Sequence, residues 1–219
     1  MNYFFLSNTG LFRGLNQQEI KQLLPCLGAY EKSYAKDDII FRAGDTVNVL
    51  GLVENGGVNI QANFYWGGSN IFGHIGKGDI FAQNYAAIPG KELNCDIIAS
   101  EKTDILFINM QKLLTSCQSA CSFHHRIICN LVKLSALKNL SLSARMMHIA
   151  PKSIRDRVLS YLSEQATENM SPNFTIPFSR QQLAEYLGVD RSALSNELSK
   201  MQKDCLISYH KNDFRLKEF

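Results

Sequence analysis

The spacing of apolar and polar residues changes character twice along this chain. Up to about residue 30 the apolar positions have the spacing of short helices, as in Ile20, Leu23 and Leu24, and Asn16 with Glu19 resembles a capping box. From about residue 31 to 108 short β-rich runs alternate with turns, and from about Gln111 the helical spacing returns. The pattern therefore predicts a β domain between helical segments, which is an α+β fold.

The middle segment has a sequence pattern typical of an all-β sandwich or barrel. Runs such as Asp38 to Phe41, Val49 to Val53 and Val58 to Phe64 are separated by turns such as Gly44-Asp45 and Gly76-Lys77-Gly78-Asp79. Glycine supplies the positive φ that such turns need, and strands at this short spacing are typical of sandwiches and barrels.

A long helix is predicted from Cys121 to Met147, ending near Pro151 because proline disfavours the helical conformation in the residue before it. Its apolar residues form two rows: Ile127, Leu131, Leu134, Leu137 and Leu140, and Ile128, Val132, Ala136 and Leu140. A face this wide favours two partners, the chain's own β domain and a second copy of the chain. The residues assigned to the dimer helix are Ile127, Leu131, Leu134 and Leu137. A single long core helix is the alternative.

The segment from Phe178 to Met201 predicts a helix-turn-helix. Ser179 with Gln182 forms a capping box at the start of the first helix, and Gly188 permits the tight turn. Asp190 caps the second helix. The residues expected to point inward are Leu183, Ala184, Leu187, Ala193, Leu194, Leu198 and Met201. Residues 204–216 follow as strand, Asn212-Asp213 turn and strand, which is the pattern of a β-hairpin wing.

The outward positions carry side chains that can bind DNA. The residues expected to read base edges are Arg191, Ser192 and Asn196. Arg can form two hydrogen bonds with guanine, and Asn can form two with adenine. The residues expected to position phosphates are Ser179, Arg180, Ser195, Lys200 and Lys211, and Gln181 is a further expected DNA contact. The plainer alternative is a solvated polar face on an ordinary pair of helices.

The run Gln181-Gln182-Leu183-Ala184-Glu185-Tyr186-Leu187-Gly188-Val189-Asp190-Arg191-Ser192-Ala193-Leu194-Ser195 resembles the helix-turn-helix of the CRP/FNR family of bacterial regulators. Phe41-Arg42-Ala43-Gly44-Asp45 and Gly76-Lys77-Gly78-Asp79-Ile80-Phe81 resemble the turns of that family's cyclic-nucleotide-binding-type β-roll. The helix-turn-helix is the specific part of the resemblance.

The resemblance implies a double-stranded β-helix (jelly-roll or β-roll) sensor over residues 1–118, a dimerisation helix over 119–149 and a winged helix-turn-helix over 150–219. It also implies a homodimer that binds double-stranded DNA at an inverted-repeat operator, under allosteric control by an effector, with RNA polymerase as a partner if the protein is an activator. Relatives typically place Arg on the reading helix where this chain has Asn196, so adenine is expected opposite that position.

The sensor lacks the residues by which such relatives hold a cyclic nucleotide. Alignment from the turns puts Ala82-Gln83 in place of a Gly-Glu pair and Leu93-Asn94 in place of an Arg-Ser pair. A buried phosphate without a cation or oriented donors is poorly stabilised, so cyclic AMP is not the expected effector. A neutral or apolar ligand in a pocket of Phe81, Ala82, Gln83, Tyr85, Leu93 and Asn94 and a filled roll without a ligand stay open; no cofactor is predicted.

Cysteine and histidine residues near the start of the long helix offer a second hypothesis for the effector. Cys117, Cys121, His124, His125 and Cys129 have helical spacing that can bind zinc or iron, which would make a metal, redox or haem sensor. Packed thiols with partly solvated imidazoles are the plainer reading, and no metal is predicted. The iron–sulfur reading fails because Cys26 stands alone near the N-terminus.

Composition narrows the remaining classes. The chain has 219 residues and a net charge of +3, divided into −2 over residues 1–119 and +5 over 120–219, which fits a DNA-binding half on a near-neutral sensor. No apolar run is long enough to span a membrane, and the start lacks an export signal, so a cytoplasmic protein without a membrane partner is expected. A cupin-like enzyme is the distant alternative; His74 is the single histidine of residues 31–108, too few for its metal site, and no enzyme is predicted.

Overall fold

The computed structural model describes residues 1–63, 69–115 and 122–217. The chain forms two compact units, Met1–Ser135 and Ala136–Phe219. The helices are α1 (Tyr3–Ser7), α2 (Gln17–Cys26), α3 (Gln83–Ala86), α4 (Met110–Leu114), α5 (Ser122–Ile149), α6 (Ile154–Glu168), α7 (Arg180–Leu187) and α8 (Arg191–Lys203). The strands are β1 (Tyr30–Tyr34), β2 (Ile39–Phe41), β3 (Val49–Asn55), β4 (Val58–Asn63), β5 (Ser69–Ile75), β6 (Ile80–Phe81), β7 (Asp96–Ala99), β8 (Thr103–Asn109), β9 (Asn173–Thr175), β10 (Ile207–His210) and β11 (Asp213–Leu216).

The first unit is built on two antiparallel four-stranded sheets, which confirms the predicted β-roll. One sheet has the strand order β1-β8-β3-β6 and the other β2-β7-β4-β5. Strands adjacent in space are mostly distant in sequence; Tyr30 of β1, for example, pairs with Phe107 of β8. Crossing connections of this kind roll the chain into two layers with the apolar side chains between them.

Aromatic rings fill part of the space between the two sheets. Phe81 and Phe107 are almost fully buried, with ring centroids 6.4 Å apart, and Phe41 lies 6.3 and 5.8 Å from them. Phe81 packs directly on the backbone of Gly51, where a Cβ atom would lie 2.2 Å from the ring. The roll therefore has an aromatic interior at the point where a ligand pocket was predicted.

A second apolar cluster joins the short helices to the outer side of the roll. Leu6 of α1, Leu23 of α2, Leu106 of β8 and Ile127 of α5 all belong to it and are at most 2% exposed. The capping box predicted at the start of α2 is confirmed, since the Asn16 side chain accepts from the Glu19 N–H and the Glu19 carboxylate accepts in return.

The long helix α5 ends at Ile149, as the position of Pro151 predicts. Its predicted dimer face needs correction. Ile127 and Leu131 are buried in the core of the first unit, and Leu134 packs against the same core beside Gly10. Leu137 is 63% exposed. Three of the four residues assigned to a partner helix are thus used by the chain's own core.

The second unit combines α6, α7 and α8 with a small antiparallel sheet of order β10-β11-β9. Its core is a separate apolar cluster that includes Val158 of α6, Leu183 of α7, Leu194 and Leu198 of α8, and Phe214 of β11. The arrangement is a helix-turn-helix followed by a β-hairpin wing, as predicted.

Candidate nucleic-acid interface

Local hydrogen bonds fix both ends of α7. The hydroxyl of Ser179 accepts from the N–H of Gln182 at 3.3 Å, and the N–H of Ser179 donates to the Gln182 side chain at 2.8 Å. Gly188 ends the helix with a φ of +64°, a left-handed conformation that side chains resist. The predicted cap and turn are both confirmed.

Asp190 caps the start of α8, and its carboxylate accepts from the N–H groups of Ser192 and Ala193 at 2.8 and 2.9 Å. The Ser192 hydroxyl also donates to it, and these bonds lower the pKa of Asp190. The Ser192 hydroxyl, which was predicted to contact a base edge, therefore supports the cap. Ser192 lies at the exposed start of the helix, as predicted.

The buried and exposed sides of α8 separate cleanly. Leu194, Leu198 and Met201 are fully buried. The exposed residues include three of the predicted DNA contacts, Arg191, Asn196 and Lys200. Ser195 is half-buried and donates its hydroxyl to the Arg191 carbonyl at 2.9 Å. One side of the helix thus anchors it, and the other presents polar groups to solvent.

Two further exposed residues on this side of α8 were not predicted as DNA contacts. Ser199 and Lys203 are both exposed, and at about 100° per residue they fall on the same side as Asn196. The helical spacing alone could have found them, since Ser199 is three residues beyond Asn196 and Lys203 is seven beyond it.

The wing is a hairpin, but its turn differs from the prediction. His210 pairs with Asp213, so the two turn residues are Lys211 and Asn212 rather than Asn212 and Asp213. Lys211 has a φ of +55° and is exposed at the tip. β11 also pairs with β9, which fixes the hairpin to the rest of the unit.

Arg180 is not a free cation at the start of α7. Its guanidinium lies over the rings of Tyr209 and Phe214, 5.0 and 5.7 Å from their centroids, and donates to the Lys211 carbonyl at 3.3 Å. Burial there lowers the pKa of the guanidinium. Arg180 therefore links α7 to the wing, and its contact with phosphate stays a prediction. Gln181 is exposed and donates to the Glu185 carboxylate at 2.8 Å.

Several arginines of the basic half bind protein groups rather than facing solvent freely. Arg155 of α6 contacts the carboxylates of Glu197 and Asp204 at 2.6 and 2.7 Å. It therefore links α6 to the middle and to the C-terminal end of α8. This network could not be predicted from the sequence, because its members are 42 and more residues apart.

Arg145 and Arg157 bind the carbonyls at the C-terminal end of α7. Arg145 donates to the carbonyls of Glu185 and Tyr186, both at 2.9 Å, and Arg157 donates to that of Leu187 at 3.1 Å. Cations stabilise this end of a helix because its last carbonyls are unpaired.

The segments assigned to the effector pocket do come together. Phe81, Ala82 and Leu93 are buried in the core of the roll, and Tyr85 packs against them. The Tyr85 hydroxyl donates to the Asn94 side chain at 2.5 Å, which joins the two segments aligned with the nucleotide-binding pairs of relatives. Ala82 has a φ of +59°, a conformation typical of the glycine it replaces, and Gln83 is buried as the first residue of α3.

The described members of the cysteine and histidine set, His124, His125 and Cys129, divide between two environments. Cys117 and Cys121 lie outside the described residues. His124 is 4% exposed, and its Nε2 lies 2.9 Å from the Leu113 carbonyl oxygen, whereas His125 is exposed. Cys129, one turn beyond His125, places its Sγ 3.7 Å from Nε2 of that ring.

Comparison with protein families gives two matches in the same order as the two units. Residues 31–120 match the cyclic nucleotide-binding domain, and residues 156–218 match the Crp-like helix-turn-helix domain. A comparison with curated proteins found no match.

Solved structures of similar fold include the following three proteins. The Thermus thermophilus catabolite activator protein is 21% identical, over 96% of this chain and 94% of its own, with a TM-score of 0.52. The c-di-GMP responsive global regulator CLP of Xanthomonas campestris is 20% identical, over 93% and 100%, with a TM-score of 0.58. A double mutant of CooA from Carboxydothermus hydrogenoformans is 21% identical, over 100% and 92%, with a TM-score of 0.58.

The fold and the matches define a DNA-binding transcription regulator with a sensor of the cyclic-nucleotide-binding type. The chain belongs to the CRP/FNR family. The two matching family models describe a nucleotide-binding domain and a DNA-binding domain, and neither is a cupin model. Among the described residues no helix is both long and apolar enough to cross a membrane.

Proposed function

We propose that the protein regulates transcription as a homodimer on an inverted-repeat operator, with α8 of each copy in a major groove. The observation that carries the proposal is the exposed residues of α8. Asn196 and Lys200 on one side of the helix and Arg191 at its start face solvent, while Arg155 and Asp190 hold the helix in place. The major groove, about 12 Å wide, admits a helix and displays a distinct pattern for each base pair.

In this arrangement Asn196 bonds an adenine edge and Arg191 a guanine edge, because each has paired groups that match those bases. Lys200 and Lys203 meet phosphates beside the groove, and Lys211 meets the backbone from the tip of the wing. Arg180 acts indirectly by fixing the wing against α7. Since chromosomal DNA is the target, the proposed location is the cytoplasm.

The exposed apolar residues of α5 support the dimer. Val132, Leu140 and Met147 are 61%, 67% and 61% exposed. With Ala136 and Ser143, which are also exposed, they recur at intervals of three and four residues and so share one side of the helix. We call these five residues the α5 row. A second copy of the same row is the occupant that fits it, because two such rows pack as a coiled coil in which each buries the other.

Cyclic AMP is not the proposed effector. Ala82, Gln83, Leu93 and Asn94 occupy the aligned positions, and none of these side chains brings a positive charge to a cyclic phosphate. The rings of Phe41, Phe81 and Phe107 lie within 6.4 Å of one another inside the roll, which favours a filled interior over a preformed pocket. Thermal-shift measurements with cyclic AMP, cyclic GMP and c-di-GMP are expected to leave the melting temperature unchanged, since a ligand stabilises only what it binds.

The proposal is tested with the full chain, by selection of binding sites from random duplexes followed by fluorescence anisotropy at increasing salt. An inverted repeat whose affinity falls steeply with salt is expected. A protein with no salt-sensitive affinity for any duplex would overturn the assignment.

The dimer is tested by sedimentation of Leu140→Glu, which places a charge in the α5 row. Leu142→Glu is the matched control, because Leu142 is 52% exposed on the same helix but lies off the row. Dissociation of the first variant alone supports the interface, and an intact Leu140→Glu dimer would refute it.

A further inference from the structure

His125 and Cys129 form a pair that the described core does not use. His125 is exposed, Cys129 is half-buried, and the Cys129 Sγ lies 3.7 Å from Nε2 and 3.8 Å from Nδ1 of the imidazole. The neighbouring His124 is different, since it is 4% exposed and its Nε2 meets the Leu113 carbonyl. The exposed imidazole and the half-buried thiol are therefore accessible to a ligand outside the fold.

The separation of the two atoms matches that of two ligands on one zinc ion. Zinc binds thiolate at about 2.3 Å and imidazole nitrogen at about 2.0–2.1 Å in tetrahedral sites, so their ligand atoms lie about 3.5 Å apart. The 3.7 Å between Sγ and Nε2 differs little from that value. The i, i+4 spacing on one helix places the two side chains next to each other, within reach of one ion.

The pair is incomplete in one chain. Within the described part of the chain no group of three or more His, Cys, Asp and Glu residues is arranged to hold a metal. However, the pair continues the α5 row: Cys129 precedes Val132 by three residues and His125 precedes Cys129 by four, so both lie on the side proposed to face a second copy.

We propose that His125 and Cys129 of two copies together bind one Zn²⁺ ion at the dimer seam, an inference that rests on the proposed dimer. Two thiolates neutralise the charge of the ion, so the site can be enclosed by the seam without an uncompensated charge. Binding releases the two thiol protons and ties the stability of the dimer to zinc.

The site is tested on the purified full chain after removal of metal with a chelator, using Co²⁺ as the optical probe and Zn²⁺ as its competitor. Tetrahedral bands with a thiolate charge-transfer band are expected, saturating at one metal for two chains, together with tighter dimerisation by sedimentation. Cys129→Ala and His125→Ala should each lower metal affinity by more than the ~10–100-fold that loss of an outer-shell partner costs.

The matched controls are Cys205→Ala and His210→Ala, which remove an exposed thiol and an exposed imidazole elsewhere in the chain and should leave binding unchanged. Because both ligands lie outside the buried core, the ligand variants should keep the native melting temperature in the metal-free state. A variant that melts lower is replaced by Cys129→Ser or His125→Asn.

The possible failures are distinguishable. If the metal-free chain dimerises and binds DNA but added Co²⁺ gives no thiolate charge-transfer band, the zinc site is refuted and the proposed function stands. Saturation at one metal per monomeric chain would also refute a shared site. If the chain stays monomeric with and without zinc, the proposed dimer fails and the site fails with it.

Discussion

Nε2 of His148 lies 3.0 Å from a carboxylate oxygen of Glu164. The Nδ1 atom of the same ring lies 2.9 Å from the Tyr186 hydroxyl, and the residue is 2% exposed. His148 stands near the end of α5, Glu164 in α6 and Tyr186 in α7, so one buried imidazole connects three helices of the second unit. Tyr161 packs edge-on against it, with the ring centroids 5.5 Å apart.

Replacing His148 by Ala should destabilise the second unit. The change removes two hydrogen bonds of a buried side chain, which costs about 1–3 kcal/mol. The free energy of unfolding in urea measures the effect. His210→Ala, at an exposed position, should change it by less than about 0.5 kcal/mol; equal values for the two variants would contradict the structural role of His148.

Asn196→Ala should lower affinity at one base pair in each half-site. The loss of a two-bond contact to adenine costs on the order of 1–3 kcal/mol on the preferred operator and little on a duplex changed at that base pair. Anisotropy titrations against operators with single base changes measure the difference. A uniform loss on all duplexes would exclude base reading by Asn196.

Lys211→Ala provides the contrast. As a phosphate contact at the tip of the wing, it should weaken binding to all duplexes alike and reduce the salt dependence of affinity by about one unit of slope. Sequence-dependent loss would instead place the wing in a groove.

Glu54 predicts a pH dependence of stability. One of its carboxyl oxygens is buried without a hydrogen-bond partner, and burial, together with the neighbouring Glu31, raises the pKa from 4.5 to about 7. Between these values the folded chain holds a proton that the unfolded chain has released, so stability falls as pH rises from 4.5 to about 7. The loss should be on the order of 1 kcal/mol, because the group is partly screened by solvent.

Glu54→Gln should remove this dependence, since the amide cannot ionise. Unfolding free energies measured at about pH 4.5 and about pH 8 test it, with Glu92→Gln, an exposed position, as the control. An unchanged slope in Glu54→Gln would mean that another group titrates.

Gly51→Ala should disturb the interior of the roll. The added Cβ would lie 2.2 Å from Cζ and 2.4 Å from Cε1 of Phe81, a ring with 2% exposure and little room to move. Overpacking of this kind costs about 1–3 kcal/mol. Gly73→Ala, where nothing lies within 4 Å of the new atom, is the control. In the double variant with Phe81→Leu the cost should shrink, and simple additivity would mean that Phe81 is not the obstacle.

Features that depend on nearby residues could be predicted from the sequence. The capping boxes of Asn16 with Glu19 and of Ser179 with Gln182 span only three residues, so the pattern of residue types determines the hydrogen bonds. Gly188 likewise identifies the turn of the helix-turn-helix, because few residues adopt its conformation.

Features that depend on distant residues could not. The periodicity of α5 shows that Ile127, Leu131 and Val132 are apolar, but only the position of the roll decides that the first two are buried and the third is exposed. The position of Arg180 at the start of α7 indicates a phosphate contact. Only the fold shows that its guanidinium lies over the rings of Tyr209 and Phe214. The one-residue error in the wing turn arose because Lys211 adopts a φ of +55°, for which lysine gives no cue.

Arg155 forms ion pairs with both Glu197 and Asp204. A count of positive charges therefore overstates the number of cationic side chains that can bind a polyanion. An exchange of Arg155 for Lys would preserve every electrostatic sum for the molecule. Yet a single ammonium lacks the planar fork that spans two carboxylates, so the exchange would loosen the helix proposed to enter the groove. For this regulator, mutations that leave the total charge untouched can be the more damaging ones.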